Sequence, residues 1–112
     1  MYNVWIVDDE PFILEGLAAV VDWPALQLAI AGQAENGRDA LDQIEERQAQ
    51  VDILITDIAM PEMDGQALIR ELKRRNPDLK CIVLSGYNEF EYVREGMRLG
   101  IENYLLKPIN LE

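Results

Sequence analysis

Short apolar runs alternate along this chain with longer segments in which apolar residues recur every three or four positions. The runs have the length of strands, and the longer segments have the period of amphipathic helices. We predict strands at about 2–7, 29–34, 51–57, 80–85 and 102–106. Strands that alternate with helices are typical of βαβ units, so the pattern predicts an α/β fold with a parallel sheet.

Several of the intervening segments carry signals for the start of a helix. Pro11 favours the first turn of a first helix, and the side chains of Asn36 and Asp64 can cap a second and a third. The third helix should end near 76–77, and Asn88 begins a capping-box pattern for a fourth. The inward-facing residues of the first three helices would be Ile13, Leu14, Leu17, Ala18, Val21, Ala40, Leu41, Ile44, Leu68, Ile69 and Leu72.

Polar residues stand where the predicted strands end. Asp8 and Asp9 follow the first strand, Asp57 ends the third, Ser85 ends the fourth and Lys107 follows the fifth. The carboxyl ends of parallel strands meet at one edge of a sheet, where open α/β sheets bind ligands. Because the chain has no histidine, three carboxylates and an ammonium there indicate a site for Mg²⁺ or a similar hard cation and a phosphoryl group.

Each of these residues also has a purely structural interpretation. The acidic residues 8–10 could serve only to cap the first helix, whose N-terminus carries partial positive charge. Lys107 could be a solvated surface lysine, Ser85 a turn cap, and Tyr104 an aromatic residue of the core. The sequence leaves these alternatives open for each residue taken singly.

Composition narrows the classes of function. Apolar residues make up 49% of the 112 residues, enough for a core, and the net charge of −11 disfavours binding to DNA or to anionic membranes. No apolar stretch approaches membrane-spanning length. The single cysteine, Cys81, excludes a disulfide within the chain and fits a reducing cytoplasm, and we expect it to be a buried apolar residue.

Four segments together resemble the receiver domain of a two-component response regulator. They are 7–10, 57–65, 85–86 and 104–108, in the order of that family. The resemblance implies a flavodoxin-like, doubly wound five-stranded parallel sheet with strand order 2-1-3-4-5. It spans almost the whole chain, so it also implies a single receiver domain over residues 1–112.

The resemblance further implies a role for each residue of the site. Asp57 would be the phosphoacceptor of a cytoplasmic protein that is not an enzyme, and its donor would be a phosphohistidine on a sensor histidine kinase. The implied Mg²⁺ ligands are Asp8, Asp9, Asp57 and the main-chain carbonyl of Ala59. The residues implied to contact the phosphoryl group or to switch with it are Lys107, Ser85 and Tyr104.

Three further expectations follow from the comparison with the family pattern. The run 85–92 is similar to regulators with an AraC-type DNA-binding domain, so DNA would be bound only through such an output domain. The chain ends at Glu112, before the family's fifth helix, and we expect a receiver domain without that helix to be poorly stable or to self-associate. Ala59 stands where many relatives carry a polar residue, which leaves the dephosphorylation rate open.

Two other functions compete with the phosphoacceptor hypothesis. A phosphatase of the haloacid-dehalogenase type also uses a strand-end Asp, Mg²⁺ and a lysine, but it requires a second Asp two residues after the nucleophile, where this chain has Ala59. A pseudo-receiver would keep the fold without being phosphorylated. The complete set of acidic residues with Ser85 and Lys107 argues against that alternative.

Overall fold

The computed structural model describes residues 2–57, 60, 63–85 and 103–106, the last four and Ser85 by their backbone. These residues form five strands, three α-helices and one turn of 3-10 helix. In chain order the elements are β1 (Tyr2–Val7), α1 (Pro11–Val20), the 3-10 turn (Pro24–Leu26), β2 (Leu28–Ala34), α2 (Gly37–Arg47), β3 (Ile53–Asp57), α3 (Gly65–Arg75), β4 (Lys80–Ser85) and β5 (Asn103–Leu106).

The strands form one parallel sheet in the order β2-β1-β3-β4-β5. This confirms the predicted fold class and strand order. Strand β3 begins at Ile53, two residues later than predicted. The reason is local: the Asp52 side chain accepts the Asn3 N–H at 2.8 Å, a donor that a strand backbone would otherwise use.

Helices cover both faces of this sheet and create two separate cores. The residues buried on the α1 face are Val4, Ile6, Ile13, Leu14, Leu17, Trp23, Ile55 and Leu84. The residues buried on the face covered by α2 and α3 are Trp5, Val7, Ala34, Ala40, Leu41, Ile44, Val51, Leu54, Leu68, Ile69, Leu72, Leu79, Cys81 and Val83. Near-continuous apolar strands are the expected result of such two-sided burial.

The predicted inward-facing residues of the helices are buried, with two qualifications. Ala18 is half-buried, and Val21 lies just beyond the end of α1 as its C-cap while still packing on the α1-face core. Cys81 is buried, as predicted. The predicted fourth helix from Asn88 lies outside the residues described. Within the described part of the chain, no helix is long and apolar enough to cross a membrane.

Both predicted side-chain caps form. Asn36 Oδ1 accepts the Asp39 N–H at 2.7 Å at the start of α2, and Asp64 Oδ1 accepts the Ala67 N–H at 2.9 Å at the start of α3. Helix α3 ends at Arg75, with Asn76 as its extended C-cap, where the sequence predicted the stop. The caps fix where these two helices begin, and therefore where the loops that precede them end.

We expect the Asn36→Ala substitution to lower the free energy of unfolding by about 1 kcal/mol, because the Asp39 N–H loses its acceptor. Asn36→Asp keeps an oxygen acceptor at the same place and is the matched control, expected to retain most of the stability. Urea denaturation measures both variants. An Asn36→Ala protein as stable as the unsubstituted chain would show that the cap contributes nothing.

The register between β1 and β2 shifts by one residue in the middle of the strands. Val4 lies opposite Ile30, but Trp5 lies opposite Gly32, so Ala31 has no opposite residue in β1. The Trp5 ring lies directly over Gly32, where a Cβ atom would come within 2.4 Å of two ring carbons. Neither the shift nor this close approach was predicted from the sequence.

Candidate functional site

The sheet register brings the predicted site residues to one edge. Val7 pairs with Thr56, so the next residue of each strand, Asp8 and Asp57, reaches the same level. Asp57 in turn pairs with Leu84 of β4. The β1–β2 ladder continues one residue past the strand, since the Asp8 N–H donates to Ala34 O at 3.0 Å. The geometry therefore agrees with the prediction that these carboxylates share the carboxyl edge of the sheet.

The two central carboxylates are buried. Asp8 is 0% exposed and Asp57 is 3% exposed, whereas Asp9 is exposed and Glu10 is half-buried. Removing carboxylates from water has a large free-energy cost unless a positive charge or several hydrogen bonds compensate it. Asp8 and Asp57 are the buried charged residues of the described part of the chain, and they lie at the ends of neighbouring strands. The free-energy cost of burying charge is therefore concentrated at this edge of the sheet.

Three consecutive acidic residues form a compact group in front of α1. One carboxylate oxygen from each of Asp8, Asp9 and Glu10 lies within 4.8 Å of the others. The sequence prediction included the two aspartates but not Glu10. Asp57, the predicted third ligand, does not belong to this particular group. The one sequence signal that Glu10 belongs to this group is its position directly after the two aspartates. From the sequence, Glu10 is assigned only a possible role in capping the first helix.

The capping interpretation of this acidic run does not describe its geometry. Glu10 occupies the N-cap position of α1, yet its side chain makes no capping hydrogen bond, and Pro11 follows as the first helical residue. Asp8 instead folds back locally, its Oδ1 accepting the Glu10 N–H at 2.8 Å. The carboxylate of Asp9 lies on the exposed side of the same turn. The run therefore shapes the turn after β1 rather than capping the helix.

The end of β3 is held from within the strand. Thr56 is fully buried, and its hydroxyl donates to the main-chain oxygen of Asp57 at 2.9 Å. This bond satisfies a buried hydroxyl and orients the peptide group that leads out of the strand. From the sequence, Thr56 is only one residue of the predicted third strand, and a β-branched residue in a strand carries no further signal.

The remaining predicted site residues are described only in part. Ser85 is the last residue of β4 and pairs with Leu106, the last residue of β5, while Tyr104 lies within β5 opposite Val83. Strand β5 thus ends at the same edge, one residue before Lys107 in the sequence. Lys107 and Ala59 themselves lie outside the described residues, so their predicted roles stay predictions.

The loop after Asp57 is tied to the start of α2. The Gly37 N–H donates to Met63 O at 2.9 Å. Met60 and Met63 both pack, partly buried, against the core beneath α2 and α3, as expected for packing residues. The described residues of this loop, Met60, Met63 and Asp64, are therefore each held in place, the two methionines by packing, Met63 also by Gly37, and Asp64 by its capping bond to α3.

The donor set at this edge fits a hard divalent cation. All the acidic groups offer carboxylate oxygens, the chain contains no histidine, and its one cysteine is buried at Cys81, within β4. Oxygen-only donors favour Mg²⁺ over metals that prefer nitrogen or sulfur. A cation there would also compensate the negative charge that Asp8, Asp9 and Asp57 concentrate in a small volume.

Comparison with known proteins leads to one family. The sequence profile described as "Response regulator receiver domain" matches residues 4–112. The chain is 44% identical over 110 residues to YesN of Bacillus subtilis (strain 168), an uncharacterized transcriptional regulatory protein, in an alignment that covers 98% of this chain and 29% of YesN. The chain spans less than half the length of the curated relatives it matches, YesN included.

Solved structures give the same result for the fold. The REC domain of AraT, a response regulator from Geobacillus stearothermophilus, is similar with a TM-score of 0.89 and 37% identity, over 98% of this chain and 84% of that one. A two-component transcriptional regulator AraC from Clostridium phytofermentans gives a TM-score of 0.87 and 33% identity, over 99% of this chain and 84% of that one. Both similarities cover the sheet edge described above.

Proposed function

Because this chain belongs to the response regulator receiver domain family, we propose that Asp57 accepts a phosphoryl group in an Mg²⁺-dependent reaction. The observation that carries this proposal is the register that puts two buried carboxylates, Asp8 and Asp57, side by side at the carboxyl edge of the sheet. A carboxylate can act as a nucleophile toward phosphorus when nearby positive charge offsets its own charge and that of the incoming group.

The donor is a phosphohistidine on a sensor histidine kinase. A carboxylate oxygen of Asp57 attacks the phosphorus atom, and the bond from phosphorus to the imidazole nitrogen breaks, with its electron pair going to that nitrogen. Asp8, Asp9 and Asp57, with the carbonyl of Ala59, would hold Mg²⁺, and the ion would supply positive charge that offsets the charge of the carboxylates and of the phosphoryl group. Lys107 contributes a mobile ammonium to the same oxygens.

The chain in this proposal is a switch and not an enzyme. It takes up one phosphoryl group per molecule and assists its own phosphorylation and dephosphorylation. The phosphoryl group draws Ser85 inward and Tyr104 follows, which shifts a pre-existing equilibrium between two conformations. An output domain of the AraC type in the longer protein then binds DNA, since this acidic chain is unsuited to do so. The transfer of the phosphoryl group from the kinase to Asp57 takes place in the cytoplasm.

The competing pseudo-receiver makes the opposite prediction for Asp57. We expect the protein to gain the mass of one phosphoryl group when incubated with Mg²⁺ and a small phosphodonor such as acetyl phosphate, and Asp57→Asn to abolish that gain. The matched control is Asp78→Asn, which removes an exposed aspartate before β4, at the opposite edge of the sheet. Intact-mass spectrometry measures all three proteins. An unmodified wild type, or an Asp57→Asn protein that is still modified, would refute the proposal.

A further inference from the structure

Gly37 is the first residue of α2, and it is buried against the loop that follows Asp57. A Cβ atom at this position would lie 2.3 Å from Met63 O, 2.9 Å from Met63 Cγ and 3.0 Å from the Met63 carbonyl carbon. Two of the three nearest atoms are backbone, so rotation of a side chain would not relieve the contact. Even one methyl group at residue 37 would have to move the loop or the helix by more than half an ångström.

Backbone conformation does not explain why this residue is glycine. Gly37 lies inside the right-handed helix α2, after an extended Asn36 that caps it. At such a position alanine is the better helix former. Glycine at residue 37 therefore makes helix α2 less stable than alanine would. The close approach of Met63 is the feature that requires glycine here.

Gly37 also lies between the two loops that carry the predicted metal ligands. Strand β2 ends at Ala34, whose oxygen accepts the Asp8 N–H at 3.0 Å, and three residues later the Gly37 N–H reaches Met63 O at 2.9 Å. A short segment of chain thus connects the turn of Asp8 and Asp9 to the loop between Asp57 and Asp64.

We infer that Gly37 is a positioning residue that sets the height of the loop after Asp57 against the acidic turn after β1. This inference rests on the proposed phosphoacceptor function. The loop contains Ala59, whose carbonyl is a predicted metal ligand, only four residues before Met63. Met63 and the predicted ligand belong to one short stretch of chain, so we expect displacement of Met63 to change how well this stretch and the carboxylates of Asp8 and Asp9 bind one cation. The affinity for Mg²⁺ and the rate of phosphorylation should both fall as a result.

The test is Gly37→Ala, assayed with acetyl phosphate over a range of Mg²⁺ concentrations. We expect the Mg²⁺ concentration for half-maximal phosphorylation to rise about 10- to 100-fold, the range typical of disturbing the groups that position metal ligands. High Mg²⁺ should restore much of the rate. Without metal or donor, the amide NMR signals of Met60, Met63 and Asp64 should shift, which reports the displacement independently of activity.

Two controls separate positioning from a general loss of helix stability. Gly16→Ala adds the same methyl group within α1 and should leave the Mg²⁺ dependence unchanged. Asn36→Ala weakens the start of α2 without adding an atom at residue 37, and should lower the thermal midpoint without moving the half-maximal Mg²⁺ concentration. If Asn36→Ala raised that concentration as much as Gly37→Ala, the effect would be one of stability and the inference would be wrong.

The outcomes distinguish this inference from the function it rests on. A wild type that takes up no phosphoryl group refutes the proposed function itself. A phosphorylated wild type with an equally Mg²⁺-sensitive Gly37→Ala protein refutes only the positioning role. Should Gly37→Ala fail to fold, the wild type provides a second test, because coupling between sites is reciprocal: Mg²⁺ with beryllofluoride should slow hydrogen exchange of the Gly37 amide, and unchanged exchange would overturn the inference.

Discussion

Asp9→Asn is expected to raise the Mg²⁺ concentration needed for phosphorylation by more than about 100-fold, because even partners of metal ligands typically contribute 10- to 100-fold to affinity. Asp9 is the exposed member of the acidic group, so its carboxylate can reach a cation without rearrangement of the core. The neutral amide retains the shape of the side chain but removes one of the negative charges that attract Mg²⁺.

The same substitution should leave the fold intact and change how the protein responds to metal. One oxygen of Asp9 lies within 4.8 Å of one from Asp8 and one from Glu10, and removal of its charge relieves repulsion in the metal-free protein. In the unsubstituted protein, Mg²⁺ at 100 times its dissociation constant adds about 2.7 kcal/mol of stability. Asp9→Asn should lose most of this gain.

Thermal unfolding with and without Mg²⁺ measures this difference directly. Glu15→Gln is the matched control, since it removes an exposed carboxylate of α1 that is not part of the acidic group. Glu10→Gln tests the third member of the group and should weaken Mg²⁺ binding only if Glu10 takes part. The Asp9→Asn protein could instead be stabilised by Mg²⁺ and phosphorylated to the same extent as the wild type. That result would show that the site has been assigned to the wrong residues.

The second large effect is expected at Gly32, on the opposite side of the sheet from α1. A Cβ atom there would lie 2.4 Å from Trp5 Cη2 and Cζ3 and 2.7 Å from Cζ2. The indole is fully buried, with the Arg47 guanidinium 5.7 Å from its ring centroid. We expect Gly32→Ala to lower the free energy of unfolding by about 3 kcal/mol, the upper part of the usual range for overpacking. The melting temperature should fall by about 4–8 °C for each kcal/mol lost.

A double-mutant cycle identifies the clash as the cause. Trp5→Phe removes the outer ring atoms and by itself leaves a cavity, so it should destabilise the unsubstituted protein. In the Gly32→Ala background the same change relieves the clash and should cost much less, or restore stability. Additive effects of the two substitutions would mean that Gly32 and Trp5 do not interact as described. Gly16→Ala again provides the control for a methyl group added elsewhere.

The strand ends were the part of the site that sequence could predict. Asp8 and Asp57 each follow a nearly continuous apolar run, and in a parallel sheet such runs must end at a common edge. The caps at Asn36 and Asp64 were predictable for a similar reason, since a capping side chain bonds to a backbone N–H only three residues away. Both inferences need only local pattern and the general geometry of parallel sheets.

The close approaches could not be predicted in this way. The Gly32 contact depends on a one-residue register shift between β1 and β2, and the Gly37 contact joins residues 26 positions apart in the chain. The period of hydrophobic residues predicts which face of a helix or strand is buried. It does not predict how closely two buried residues approach each other. Neither glycine could therefore be singled out from the sequence before its partner, Trp5 or Met63, was known.

The register shift at Ala31 has a consequence for the outer side of the sheet. Strand β2 is one of the two edge strands of the described sheet, and its sequence, Leu28–Ala34, contains no charged residue and no proline. Uncharged edges of this length are the ones that recruit strands from other molecules. The extra residue opposite β1 interrupts the even spacing of backbone donors and acceptors, and the Gln43 side chain covers the Gln33 carbonyl at 3.3 Å. We therefore expect the irregularity beside the Trp5 indole to make this edge a poorer template for a strand from another molecule.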